Sequence, residues 1–130
     1  MSKFDLVRHY LFEMEIPIVK EDPQQEIVVI DHQERGLKNM VIDCEAPILV
    51  IEQAIMKVPP QPGDLFKHLL QWNREMVHGA FVLDDRGETV IFRDTLQLEN
   101  LDRNELEASI QSLSLALAEY NAKLLKYAKQ

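Results

Sequence analysis

The feature that most constrains the fold is a long amphipathic segment near the C-terminal end of the chain. Asp102 is a residue type that begins helices, and Glu105 follows it at the spacing of a capping box. Leu101 is placed to pack on Leu106 as a hydrophobic staple. Apolar side chains then recur at alternating intervals of four and three residues, at Leu106, Ile110, Leu113, Leu117, Tyr120, Leu124 and Tyr127. The pattern predicts a helix of about six turns with one side that must be covered.

A second apolar line on the same helix has two interpretations. It runs beside the first line through Ala108, Leu115, Ala122 and Leu125. Either the helix lies across its own sheet and the second line widens that contact, or the helix also packs on another subunit. The sequence is consistent with both arrangements.

The N-terminal half predicts one short helix followed by three antiparallel strands. Apolar residues recur at helical spacing over residues 2–14. Prolines bound residues 17–23, which predicts a loop or a frayed extended segment there. β-Branched residues and period-two alternation predict strands over residues 26–31, 37–45 and 48–58.

The C-terminal half adds a second helix and a β-hairpin before the capped helix. An apolar stripe around Trp72 indicates a helix that ends at the His78-Gly79 pair. Alternating residues on both sides of an Asp-Asp-Arg-Gly turn at residues 84–87 indicate a hairpin. The chain is therefore predicted to be a single α+β domain over residues 1–130. It combines an antiparallel five-stranded sheet with three helices in the order α-β-β-β-α-β-β-α.

The strands carry more apolar surface than one packed face requires. Alternation assigns one set of side chains to the helix-covered face: Met40, Ile42, Phe81, Leu83, Val90 and Phe92. The other face would carry Val41, Leu49, Ile51, Ile55, Val82 and Ile91, which are the candidate partner-binding residues. An exposed patch of this kind on a small protein indicates an interface. The alternative is that one helix crosses to that side and seals it.

Composition excludes several classes of partner. The formal charge of −8 disfavours binding to nucleic acids and to anionic lipid surfaces. No apolar stretch approaches the roughly 20 residues that span a bilayer, and no signal peptide is apparent at the N-terminus. The single cysteine, Cys44, lies in an apolar strand and reads as a buried residue, which favours a cytoplasmic location.

No catalytic motif and no cofactor or metal site is predicted. The chain lacks a glycine-rich phosphate loop, paired cysteines and a His-Glu-x-x-His motif. The acidic residues around Asp43 and Asp84 are expected to be solvated and not to hold a cation. Trp72 and His68 are one helical turn apart, so they could form the rim of a small-ligand pocket, although a core position for Trp72 is the simpler interpretation. The chain is accordingly predicted not to be an enzyme.

Three short segments carry a resemblance to a known family. The sequences at residues 69–73, 79–84 and 93–96, with the exit into a capped helix, resemble the YbjN-like proteins. The fold of those proteins is similar to that of type III secretion chaperones of the Tir-chaperone kind. The resemblance implies a small, acidic, chaperone-like protein, usually dimeric, that holds an extended stretch of another polypeptide without hydrolysing it.

Two alternative functions are therefore expected. The first is a non-enzymatic chaperone-like or peptide-binding protein that acts as a homodimer and takes a protein or peptide client. The alternative is a regulatory domain that binds a small ligand near Trp72.

Overall fold

Three α-helices and six strands, with a short 3-10 helix at Gln33–Arg35, make up the computed structural model, which describes residues 1–129. In chain order they are α1 (Lys3–Glu13), β1 (Ile18–Asp22), β2 (Ile27–His32), β3 (Leu37–Glu45), β4 (Ile48–Lys57), α2 (Leu65–Asn73), β5 (Ala80–Leu83), β6 (Thr89–Gln97) and α3 (Arg103–Ala128). The strands form one antiparallel sheet in the order β1-β2-β3-β4-β6-β5. Strand β4 is the longest and pairs with β3 and β6, so it lies at the centre. The α+β class is confirmed.

The sheet has one strand more than predicted. Residues 18–22 form the edge strand β1 and pair with β2, with Lys20 opposite Val29 and Asp22 opposite Ile27. The prolines that indicated a loop lie just outside the strand, which is where an edge strand tolerates them. Because most of β1 is exposed, its sequence lacks the apolar alternation that marks a half-buried strand.

Helix α2 ends five residues earlier than predicted. Its last residue, Asn73, donates from Nδ2 to the carbonyl oxygen of Phe81 at 3.0 Å, and its Oδ1 accepts from the Phe81 N–H at 2.8 Å. These two bonds join the end of α2 to the start of strand β5. In the residues that follow, N–H groups bond to the carbonyl oxygens three residues earlier, as in a 3-10 helix. The chain then reverses at Gly79, whose φ is +76°.

Helix α3 begins as predicted. Asp102 Oδ1 accepts from the Glu105 N–H at 2.8 Å, and Glu105 Oε1 accepts from the Asp102 N–H at 3.3 Å, which is a complete capping box. Serine hydroxyls fix the helix on the domain. Ser109 donates to Asp94 of β6 at 2.6 Å, and Ser112 donates to the carbonyl oxygen of His78 at 2.5 Å. The capping box and these tethers hold α3 in place along the sheet.

The three helices pack on the same face of the sheet. Helix α1 and the first half of α3 cover β2, β3 and the start of β4 in one apolar cluster. Helix α2 and the second half of α3 cover β5 and β6 in another. Trp72 anchors the second cluster, because it stacks on Tyr120 with ring centroids 4.6 Å apart and meets Phe81 edge-on. Helix α3 therefore bridges both halves of the core.

Two glycines in the same backbone region allow a direct test of this packing. Gly79 and Gly87 have φ values of +76° and +69°, but an added Cβ at Gly79 would lie 2.3 Å from Cζ of Phe92, while nothing lies within 4 Å at Gly87. Both Gly→Ala substitutions should cost about 1–2 kcal/mol of backbone strain. Gly79→Ala should cost about 1–3 kcal/mol more from overpacking. Urea unfolding of both variants measures the difference, and equal losses would show that Phe92 moves aside freely.

Candidate interaction surface on the open face of the sheet

The second face of the sheet is not covered by any helix in residues 1–129, and we call it the open face. Cross-strand pairing places its side chains in rows. Val29 of β2 pairs with Val41 of β3, and Ile91 of β6 pairs with Val82 of β5 and Ala54 of β4. The apolar members of the open face are Ile27, Val29, Val41, Ile48, Val50, Ala54, Ala80, Val82 and Ile91. All but the exposed Ala54 are partly buried, so neighbours on the sheet shield them only in part.

The structure divides the six predicted partner-binding residues. Val41, Val82 and Ile91 lie on the open face. The prediction for Leu49 and Ile51 is wrong, since both are fully buried under the helices. Their partners in the sheet, Cys44 and Ile42 of β3, belong to the same core cluster.

Ile55 is displaced from the open face by an irregularity in β4. The register of β4 against β6 shifts between Ala54 and Met56, so the alternation of side chains is interrupted at this point. Ile55 packs against both core clusters. The prediction for Ile55 is therefore also wrong.

Gln53 explains why the two faces of β4 were assigned the wrong way round in the prediction. Both alternating sets in this strand are apolar, and Gln53 suggests that its own set faces water. In the structure Gln53 is buried, and its side chain accepts from the Lys38 N–H at 3.1 Å and donates to the carbonyl oxygen of Gly36 at 3.0 Å. Glu52, and not Gln53, marks the set of β4 side chains that faces away from the helices. This set includes Ile48 and Val50, which are residues of the open face.

The open face carries both acidic and basic side chains. The acidic ones are Asp22, Asp43, Glu45 and Glu52, and the basic ones are Lys20, Lys57 and Arg93. Arg93 and Glu52 form an ion pair with each other. The charge that remains is therefore concentrated around Asp43, which lies between apolar residues of β2 and β4.

The pKa of the Asp43 carboxyl group on the open face is raised. Burial raises its pKa, and the nearby Glu45 and Glu52 carboxylates raise it further. Its Oδ1 atom is shielded from solvent and has no hydrogen-bond partner within the described chain. A donor on a bound molecule, such as an N–H group or a cationic side chain, would satisfy this oxygen.

The cysteine thiol and the potential metal ligands within residues 1–129 form no reactive site. Burial raises the pKa of the Cys44 thiol to about 11, so the thiol is protonated near neutral pH and is a poor nucleophile. Across residues 1–129, no three His, Cys, Asp or Glu side chains are grouped as a metal site would require. No helix in that range is long and apolar enough to cross a membrane.

Trp72 is a core residue and not the wall of a pocket. It is 8% exposed and packs between aromatic rings. Its neighbour His68 forms a small polar cluster, in which the Tyr127 hydroxyl donates to Asp64 Oδ1 at 2.6 Å and lies 3.0 Å from His68 Nδ1. This cluster connects the end of α3 to the start of α2.

A groove of about 570 Å³ lies on the other side of Tyr120. It separates α3 from the segment 75–78 that follows α2. Its lining mixes apolar side chains with acidic and amide groups: Glu75, Met76, Val77, His78, Ala108, Gln111, Ser112, Leu115, Ala116, Glu119 and Tyr120.

Comparisons with known proteins agree on the fold. The family model CesT_Tir_1 matches residues 1–130. YbjN of E. coli is similar in structure with a TM-score of 0.72 and 16% sequence identity, over 93% of this chain and 92% of that one. The type III secretion chaperone SycH of Yersinia pestis, solved with a fragment of YscM2, has a TM-score of 0.62 and 12% identity, over 90% and 98% of the two chains. The HopA1-SchA chaperone-effector complex gives 0.60 and 10%, over 94% and 89%. A search of curated proteins by sequence found no match.

The perturbed Asp43 carboxyl should make stability depend on pH. Because its pKa is raised in the folded state, its ionisation destabilises the fold as the pH rises from about 3.9 through the folded value. Asp43→Asn should therefore increase the free energy of unfolding near neutral pH and have a smaller effect at about pH 3. Urea unfolding at several pH values measures this. Asp85→Asn, in the exposed hairpin turn, is the control for the loss of one carboxylate. A pH-independent effect of Asp43→Asn would contradict the assignment.

Proposed function

This chain belongs to the CesT_Tir_1 family of type III chaperones, and on that premise we propose that it holds an extended segment of a partner polypeptide on the open face. It acts as a non-enzymatic, chaperone-like protein in the cytoplasm and as a homodimer. The buried, protonated Cys44 thiol and the strongly acidic composition support a reducing compartment and a soluble partner.

The observation that carries the proposal is the apolar surface left on the sheet. Val29 and Val41 lie on the adjacent strands β2 and β3, Ile91 and Val82 lie on the adjacent strands β6 and β5, and all three helices pack on the opposite face. Strands lie about 4.8 Å apart, so the five strands from β2 to β5 span roughly 20 Å. An extended peptide presents every second side chain to one side, which suits a surface of this shape.

The carboxylates of the open face favour one class of partner sequence. Asp43 has an oxygen without a donor, and Glu45 and Glu52 lie beside it. A segment in which every second residue is in turn apolar and basic presents both kinds of side chain to the sheet. It would therefore cover the valines and place lysine or arginine over these carboxylates. A segment with acidic residues in place of the basic ones would be repelled.

Two proteins of similar fold support a role in holding other chains. SycH was solved with a fragment of YscM2, and SchA was solved in a chaperone-effector complex. Each is described as bound to another polypeptide. We extend only that general property to this chain.

The proposal is tested by binding of two labelled peptides with the repeats Val-Ser-Lys-Ser and Val-Ser-Glu-Ser, in which valine and the charged residue share one side of the extended chain. Fluorescence anisotropy should detect binding of the first only, with affinity that falls as salt is raised. Val82→Asn, which leaves the net charge unchanged, should weaken binding by about tenfold, or 1.4 kcal/mol. Ile51→Asp is unsuitable as a probe because Ile51 is fully buried and its replacement should unfold the protein.

The control variant is Leu70→Asn on α2, which carries an exposed leucine at a distance from the open face. It should bind the peptide like the wild type. Thermal unfolding of Val82→Asn should stay close to that of the wild type. If Val82→Asn is folded and binds normally, or if the wild type binds neither peptide, the open face is not the binding surface.

A small ligand in the groove beside Tyr120 is the second candidate function. The volume of about 570 Å³ is in the range of ligand pockets, and Tyr120 stacks directly on Trp72. A ligand in the groove should therefore change the emission of Trp72, the single tryptophan. Titration with a panel of metabolites measures this, with Ala108→Phe as the variant that fills the groove. A flat response across the panel would remove this candidate.

A further inference from the structure

We propose that the groove beside Tyr120 binds a small organic cation, namely a primary ammonium group carried on an apolar chain. The proposal rests on the second candidate function and names the chemical class of its ligand. None of the residues that line the groove belongs to the open face, so this ligand and the partner polypeptide would occupy separate sites.

The two walls of the groove are held in place by the rest of the fold. One wall is a single face of α3, whose lining residues from Ala108 to Tyr120 follow helical spacing and extend over about 18 Å. The other wall is the segment 75–78. In this segment Met76 packs on both core clusters, and the carbonyl oxygen of His78 accepts from the Ser112 hydroxyl. A ligand can therefore enter a site that needs little ordering.

The lining of the groove is negatively charged. Among the described residues that form it, the carboxylates are Glu75 on the segment and Glu119 on α3, and there is no lysine or arginine. Neither carboxylate forms an ion pair within residues 1–129. Burial raises the pKa of the Tyr120 hydroxyl, and the Glu119 and Glu75 carboxylates raise it further. Both carboxylates therefore lie near this hydroxyl, at one end of the groove.

The basic side chains closest in the chain leave these carboxylates unneutralised. Lys123 follows Glu119 by one helical turn, but its ammonium nitrogen lies 6.0 Å from the centre of the Trp72 ring. Arg74 precedes Glu75 and is not part of the lining. Neither basic residue forms an ion pair within the described part of the chain.

Basic residues near the start of α3 belong to other surroundings. Arg103 lies 3.7 Å from a carboxylate oxygen of Glu107 and 3.9 Å from one of Glu13. Arg35 lines a smaller groove, together with Glu107. The unpaired negative charge of the larger groove is thus at its Tyr120 end.

An unpaired hydroxyl group marks the same end of the groove. Tyr120 is 7% exposed, yet its hydroxyl has no hydrogen-bond partner within residues 1–129, whereas those of Tyr10 and Tyr127 each have one. A primary ammonium group has three N–H donors. At this end of the groove it would donate to the Tyr120 oxygen and to both carboxylates, so that all three donors are satisfied.

Apolar side chains continue from the acidic end along both walls. Val77 on the segment is 89% exposed and Leu115 on α3 is 64% exposed, and Ala108 and Ala116 lie on the same helix face. A hydrocarbon chain attached to the ammonium group would remove this apolar surface from water. The lining therefore favours an amphipathic amine over an inorganic cation.

The test compares three probes of similar size at low salt and about pH 8, where histidine is ordinarily neutral. They are hexylamine, 1-hexanol and sodium hexanoate, and emission of Trp72 reports binding because its ring stacks on Tyr120. Hexylamine should bind about tenfold more tightly than hexanol, and hexanoate should bind more weakly than hexanol. Propylamine should bind at least about tenfold more weakly than hexylamine, because it buries fewer methylene groups.

Variants separate the contribution of charge from that of apolar contact. Glu75→Gln and Glu119→Gln should each weaken hexylamine binding about threefold, and together about tenfold, while hexanol binding stays unchanged. Tyr120→Phe keeps the ring and should weaken hexylamine binding about threefold. Glu99→Gln is the matched control, because it removes an exposed carboxylate outside the groove and should leave binding unchanged. Thermal unfolding verifies that each variant is folded.

Three results would overturn the inference: hexylamine that binds no more tightly than hexanol, a Glu75→Gln, Glu119→Gln double variant that keeps the wild-type preference, or no binding of hexylamine up to about 10 mM. Equal binding of all three probes that Ala108→Phe abolishes would reject the cation and keep the groove as a ligand site. A flat response to these probes and to the metabolite panel would reject both, so the two proposals can fail separately.

Discussion

The packing of α3 across both halves of the core is the constraint on which the rest of the structure depends. Leu106, Ile110 and Leu113 complete the cluster shared with α1, and Tyr120 and Leu124 complete the cluster shared with α2. One long helix thus joins two small cores that could not bury enough surface separately. Since α1 and α2 pack beside it on the same face, no helix of the described chain covers the apolar residues of the opposite face.

Polar side chains position the segments around this packed layer. Serines of α3 bind Asp94 and the loop before β5, Asn73 joins α2 to β5, and Gln53 closes the turn before β3 from inside the core. Each of these bonds satisfies backbone or carboxylate groups that would otherwise be buried without a partner. The open face is supported by this network but contributes little to it. Its residues can therefore change with the partner at small cost to the fold.

Local signals determined how much of the structure could be predicted from the sequence. The start of α3 and the bounds of β3 were correct, because a capping box and a clean alternation are encoded within a few residues. Strand β1 was missed since an exposed edge strand needs no apolar pattern. The end of α2 was predicted five residues too late, because it depends on hydrogen bonds between the Asn73 side chain and Phe81 of β5 that no helix-stop residue marks. Three of the six candidate partner-binding residues lie on the open face. The misplacement of the others in β4 arose because both faces of that strand are apolar and Gln53 is satisfied internally.

The two edge strands are short, which has a consequence for a protein with an apolar open face. Strand β1 has five residues and an irregular register, and β5 has four. Neither offers the long, flat ladder of free N–H and C=O groups on which strands of other copies could polymerise. The apolar side chains of the open face lie on the flat side of the sheet, whereas strands of other copies could be added only at its two edges. The protein can thus expose an apolar surface at high concentration and still resist growth into fibrils.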